Sequence, residues 1–269
     1  MRRLIAMLSL SLTMAACEGA PIMEPALTST APSSAKGGNP NPGLVIPLNK
    51  KYEGLGATWW QYVISVPFGE NPLFDETGAN ALNGQPYASG NVIFLAGTFG
   101  PGAVERSVTI PTGTKLFFPI VNNFAGCLDP VAERPVFQQA VVAGTGMTPQ
   151  EVAALSDAEL SRIYVNLFVD TFNPASLSAT IDGRSVAGLQ GYRAETPVFT
   201  IPDSELLGFP GVACPNSVAA GYWLLLNPLQ PGDHTIHFAA SNDPVEPFFG
   251  PFALDITYHI HVEPGSRMP

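Results

Sequence analysis

The chain has 269 residues, with 12 Lys and Arg against 22 Asp and Glu, a formal charge of −10. That balance argues against a nucleic-acid partner, because phosphate-backbone recognition needs concentrated positive charge. It argues equally against a polybasic hold on a membrane, while the length permits a substantial core in one large domain or two closely joined halves.

Met1-Arg2-Arg3 is a basic start, Leu4–Met14 an apolar stretch, and Ala15-Ala16-Cys17 a small-residue cleavage region ending in cysteine. The arrangement resembles the bacterial lipoprotein signal, in which cleavage leaves an acylated N-terminal cysteine. The resemblance implies a signal peptide over 1–16, lipid attachment at Cys17 and a membrane partner reached through that lipid. Glu18 stands where an aspartate is associated with inner-membrane retention, so the resemblance points to the cell envelope at the outer membrane. An ordinary secretory signal cut near Ala16 is the alternative reading, and the apolar stretch is short of the ~20 residues of a membrane span. Loss of Arg2 and Arg3 takes the charge from −10 to −12. Residues 17–46 then read as the attachment cysteine and a Pro/Ser/Thr/Gly-rich flexible tether, and 47–265 as a β-rich domain.

Within that domain, residues 48–64 carry Trp59, Tyr62 and Val63 at helical spacing and stop before Pro67. Because adjacent residues cannot share a helical face, one of Trp59 and Trp60 can pack in the core while the other is a partly exposed aromatic; packing of both within the structure is the favoured reading over a ligand platform. Residues 67–90 read as a long loop with turn sequences at Asn71-Pro72, Asp75–Gly78 and Asn83-Gly84. Val92–Leu95, Ser107–Ile110 and Lys115–Val121 are β-favouring runs separated by Gly/Pro turns, and the domain is organised around them. Residues 147–172 are the clearest helical segment. Thr148–Glu151 and Ser156–Glu159 both have capping-box patterns, which predicts two consecutive helices. Short β pieces follow around 178–186 and 198–201, then Gly221–Leu226, His234–Ala240 and Pro251–Val262. The pattern predicts a mainly β fold, an antiparallel β-sandwich of jelly-roll type, with a helical insertion at about 147–172.

The combination of Trp59-Trp60, Asn71-Pro72, Phe94–Gly100, Arg106, Ile110-Pro111, Gly113, Leu116–Ile120 and Pro231–Ile236 resembles a family of exported bacterial proteins of uncharacterised activity. The resemblance spans most of 52–262 and implies one fold unit and export. It brings no catalytic residues.

Three groups of residues bear on chemistry. With Cys17 lipidated, Cys127 and Cys214 remain, in Gly/Pro-rich surroundings within an oxidising compartment, and they are expected to pair. Alternation along Tyr258–Glu263 puts His259 and His261 on one strand face, and His237 joins them if the two last strands form a hairpin, whereas His234 faces the other way. Three imidazoles so placed are candidate ligands for zinc or another transition metal, and with an open coordination position they would support hydrolysis; solvent-facing histidines are the plainer alternative. Trp59, Trp60, Tyr87, Phe99 and Asn122 are candidate contacts for a carbohydrate or other small ligand, near the long loop and the sheet ends. No serine lies in a nucleophile elbow, and no Walker loop or dinucleotide fingerprint appears. The expected function is therefore a cell-envelope ligand-binding lipoprotein, with a metal-dependent hydrolase and a purely structural envelope protein as the rivals.

Overall fold

Asn49 opens the first helix, α1 (Lys50–Ser65), by accepting a hydrogen bond from the Lys51 amide, and the helix ends where Val66, held extended ahead of Pro67, cannot continue it. This is a computed structural model, which describes residues 44–86, 91–99, 102–128, 131–202, 205–207 and 213–265. Strands β1 (Val92–Phe94), β2 (Ala103–Pro111) and β3 (Lys115–Ala125) follow the long loop. Helices α2 (Glu133–Thr145), α3 (Pro149–Ala153) and α4 (Asp157–Asp170) come next, and the last two carry the capping boxes expected of Thr148/Glu151 and Ser156/Glu159. The remaining strands are β4 (Ser178–Ile181), β5 (Arg184–Ser185), β6 (Arg193–Glu195), β7 (Phe199–Ile201), β8 (Cys214–Leu226), β9 (Gly232–Ser241) and β10 (Ala253–Glu263).

These strands form two five-stranded sheets. The first has the order β1-β3-β8-β6, with β7 also on β8; the second has the order β2-β10-β9-β4-β5. The fold is thus sheet-rich with a helical insertion, as the residue pattern predicts. The sheets are mixed: most pairs are antiparallel, but β1 runs parallel to β3, and β2 parallel to β10, so the arrangement is not purely the expected antiparallel one. The cause is that β2 leaves the first sheet for the second and β3 returns, so β1 and β3 enter the same sheet in the same direction. The helical insertion also begins earlier than 147, at Glu133.

Pro119 lies inside the long strand β3, where its missing N–H would break a ladder. It sits past the last β1 pairing, Phe94 with Phe117, and the register to β8 shifts between Pro119 and Val121, so a bulge takes up the irregularity.

One face of the first sheet presents Phe94, Phe117, Trp223 and Leu225 to α1. The other presents Leu116, Phe118, Leu224 and Leu226 to a core shared with Ile236, Phe238, Ile256 and Tyr258 of the second sheet, with the Phe118 and Phe238 rings 5.0 Å apart. Helix α4 packs on β8 and β3 within that same core, and α2 is held to α4 by stacking of Phe137 on Tyr164 at 3.8 Å. Burial pushes the Tyr164 phenol up to about 12. A disulfide joins Cys127, just beyond β3, to Cys214, the first residue of β8, closing the end of the β3–β8 ladder.

Candidate functional site

The loop between α1 and β1 is held by four buried polar side chains, three of its own and one, Arg106, from β2. Asn71 donates to the Val63 and Val66 carbonyls at 2.6 and 2.8 Å and accepts from the Leu73 amide, which fixes the chain's exit from α1. The Asp75 carboxylate accepts from the backbone amides of Thr77, Gly78 and Asn80 and from the Thr77 hydroxyl. Burial alone would raise its pKa, but those donors outweigh it and hold the carboxyl below the usual range. Gln85 donates to the Phe94 carbonyl and accepts from the Phe94 amide, pairing the end of the loop with β1 as a strand would.

Arg106, on β2 and 1% exposed, is the centre of this frame. Its guanidinium donates to the carbonyls of Asp75, Ala96 and Gly97 and to the Tyr258 hydroxyl, at 2.6 to 3.0 Å. No carboxylate pairs with it among the described residues. Arg106 also lies over the Tyr258 ring at 5.5 Å, a cation–π contact inside the protein. Where the loop passes β2, Gly78 adopts φ +97°, and a Cβ there would stand 2.6 Å from the Ser107 carbonyl oxygen. Only glycine fits both demands.

On the outside of this frame the loop displays Phe68 and Phe74, 65% and 40% exposed, and the segment after β1 adds Phe99 at 47%. Their rings form a continuous row, with centroids 4.5 Å apart between Phe68 and Phe74 and 5.7 Å between Phe74 and Phe99. Single exposed apolar residues are ordinary, but a contiguous aromatic row on a fixed loop marks a contact surface.

The residues singled out from the sequence fare unevenly against this geometry. Phe99 belongs to the row. Trp59 and Trp60 do not: both are buried, at 1% and 3% exposure, so neither is an exposed stacking platform. Trp59 packs edge-on to Trp223 and donates its ring N–H to the Leu95 carbonyl, and Trp60 packs on Phe124. Helix α1 is covered on more than one side, by the first sheet and by β7 and the turn at 205–207, which gives each adjacent Trp its own cover. Asn122 is half-buried opposite Gly221, away from the aromatic row. Its amide nitrogen, like that of the Trp60 ring, has no hydrogen-bond partner among the described residues. Tyr87 and Cys17 lie outside the described residues. Phe68 and Phe74 escaped the sequence reading; the one hint was two large apolar residues in an otherwise polar, turn-rich loop.

Three of the four histidines occupy the outer face of the second sheet, and His234, opposite Ile260, lies on the other side of β9. β9 and β10 pair antiparallel, with Thr257 opposite His237 and Thr235 opposite His259, so His237, His259 and His261 do share a face. Each is engaged by its own carboxylate, however: His237 with Asp255 at 2.7 Å, His261 with Asp233 at 2.6 Å and His259 with Glu105 at 3.4 Å. Among the described residues no three ligating side chains converge on a point that would hold a metal ion. His234 places one ring nitrogen 2.8 Å from Asp182 and the other 2.8 Å from the Gln230 carbonyl. Two acceptors favour the doubly protonated ring, and although burial works against it, these contacts raise the His234 pKa. Elsewhere, a polar cleft lies between the start of α1, α4 and β6. Its arginines are engaged, Arg162 with Glu195 and Arg193 with Asp170, and Asn166 bridges the two pairs.

No family model and no curated protein matches the chain. Among solved structures, the solution structure of Amebosin is 12% identical, over 60% of this chain and 100% of that one, with a TM-score of 0.16, a likeness too low to carry a structural argument.

Proposed function

We propose that the chain is an exported, lipid-anchored binding module of the cell envelope whose contact surface is the exposed row Phe68–Phe74–Phe99. The observation that carries this reading is the contrast between the row and what lies under it. Four buried polar side chains, one of them an arginine that pairs with no carboxylate among the described residues, hold the loop that keeps these rings in water. Such a frame pre-organises the surface, and pre-organisation lowers the ordering cost of binding.

The row is apolar and has no phenol or indole tip to hydrogen-bond a sugar. The nearby amide of Asn83 is engaged by Asn80 and by the Glu70 carbonyl. The stacking-plus-amide chemistry that favoured a carbohydrate is therefore not the chemistry of this surface, and an apolar ligand fits it better. Covering the exposed parts of the rings would remove about 300 Å² from water, taking ~200 Å² for each side chain. At ~25 cal/mol per Å² that contributes ~7 kcal/mol before the costs of association.

The test is binding of an apolar fluorescent dye such as ANS by folded protein and by the F68S/F74S/F99S variant. Folded wild-type protein is expected to enhance the dye's emission, and the variant to lose most of that enhancement with an unchanged circular dichroism spectrum. Equal emission from both proteins overturns the assignment of the surface.

A further inference from the structure

We infer that the partner of the Phe68–Phe74–Phe99 surface is a neutral phospholipid bilayer, the same membrane that holds the chain's N-terminal lipid. This rests on the apolar contact surface and lipid anchor proposed above, and it names what the surface meets.

Three observations converge on it. The first is chemical. Three phenyl rings without polar tips suit the boundary between headgroups and acyl chains, where apolar side chains of surface-bound proteins lodge.

The second is the reach of the tether. Twenty-six residues, 18–43, separate Cys17 from the first described residue. A chain of that length can reach at most roughly 90 Å. The domain begins beside the end of β8, where the Ile46 amide donates to the Leu225 carbonyl and the Asn227 amide to the Leu44 carbonyl. Tyr52, in the first turn of α1, donates to the Ile46 carbonyl and accepts from the Leu225 amide, so α1 starts at this same point. The helix has 16 residues, hence a length of about 24 Å, and Phe68 follows its other end. That reach exceeds the distance from the chain's entry to the aromatic row, so the chain is long enough for the lipid and the row to meet one bilayer.

The third is charge. The mature chain carries −12, and Glu70 stands within the loop between Phe68 and Phe74. This disfavours an anionic surface and leaves a neutral one unopposed. The lipid holds the chain to the bilayer, and an apolar contact on the domain would fix the domain's orientation upon it.

The experiment uses full chain purified with its lipid, reconstituted on phosphatidylcholine vesicles, with Phe99→Trp as the reporter. The native Trp59, Trp60 and Trp223 are at most 3% exposed and stay shielded. Phosphatidylcholine brominated on its acyl chains is expected to lower the F99W emission clearly below its value on unbrominated phosphatidylcholine, because a ring lodged at the headgroup/acyl boundary lies within reach of the bromines. Replacing half of the lipid with phosphatidylglycerol should weaken that quenching. Adding F68S/F74S to F99W should abolish it while co-sedimentation with vesicles through the lipid persists. Absence of quenching with dye binding intact overturns the bilayer as partner and leaves the apolar surface in place for another ligand. Absence of both overturns the surface itself. Quenching that survives F68S/F74S, or a chain that does not join vesicles at all, also refutes the docking.

Discussion

Replacing Arg106 with Met should weaken the frame under the aromatic row at its centre. Methionine keeps much of the stem's apolar volume and removes every donor. The carbonyls of Asp75, Ala96 and Gly97 then lose the guanidinium, whereas the Tyr258 hydroxyl keeps its contacts to the Ala96 amide and carbonyl. The Ala96 carbonyl retains the Tyr258 hydroxyl, so two buried acceptors are left unpaired, and at ~1–3 kcal/mol each the gross loss is ~2–6 kcal/mol. Against part of it stands the relief of no longer burying an ion, because no carboxylate among the described residues offsets its desolvation. The net expectation is a loss of about 1–2 kcal/mol, read as a lower urea midpoint at unchanged slope. R106K tests the geometry separately. Its three donors radiate from one atom and cannot span carbonyls on three residues, so it should lose more than ~1 kcal/mol despite keeping the charge. A loss below ~1 kcal/mol for R106M, or wild-type stability for R106K, would refute the account of Arg106 as the centre of the frame.

Reduction of Cys127–Cys214, or the C127S/C214S variant, frees a link across 87 residues and should cost about 4–5 kcal/mol on the chain-entropy estimate, measured by urea unfolding with and without reductant. Asp75 has a folded pKa below its unfolded one, so its contribution is present above the unfolded value and disappears as pH falls through the folded one; D75N should be about 1–2 kcal/mol less stable at pH 7 and show a flatter acid limb in unfolding from pH 7 to 2. His234 has a folded pKa above its unfolded one, so its contribution is complete below the unfolded value and fades as pH rises through the folded one; wild-type melting temperature should fall relative to H234Q over that rise, and parallel curves would reject the ion-paired imidazole.

Local rules in the sequence placed several elements well. The two capping boxes each occupy four consecutive residues and act within one turn, so Thr148–Glu151 and Ser156–Glu159 were readable in full. Strict alternation in β10 likewise identified its buried side, Ile256, Tyr258 and Ile260, and the face carrying His259 and His261. Helix α2 escaped because its N-cap position is Ala132, which offers no side-chain cap, and Pro135 and several valines dilute its helical pattern. The first half of β8, Cys214–Ala220, holds Pro, Asn and small residues with little β preference; its pairing with β3, β6 and β7 makes it a strand. The parallel pairs depend on which sheet the chain enters next, and no local pattern encodes that choice.

The contact surface was harder to read because burial and exposure are decided by different things. A tryptophan pair on a helix looks like one inward and one outward ring only if the helix has a single covered side. Trp59 and Trp60 meet Trp223 on β8 and Phe124 on β3 at different angles around α1, so both are enclosed. Phe68 and Phe74 stand in a stretch that reads as turns, and turns accept exposed residues of any kind. Their exposure acquires meaning from Asp75, Arg106 and Tyr258, whose hydrogen bonds join positions 31 and 152 residues apart. Removing the aromatic rings would leave those bonds intact, whereas removing the bonds would free the rings to fold back onto apolar neighbours. The frame therefore goes beyond what core packing requires: it holds an apolar row at the surface, which is the arrangement the proposed apolar contact needs.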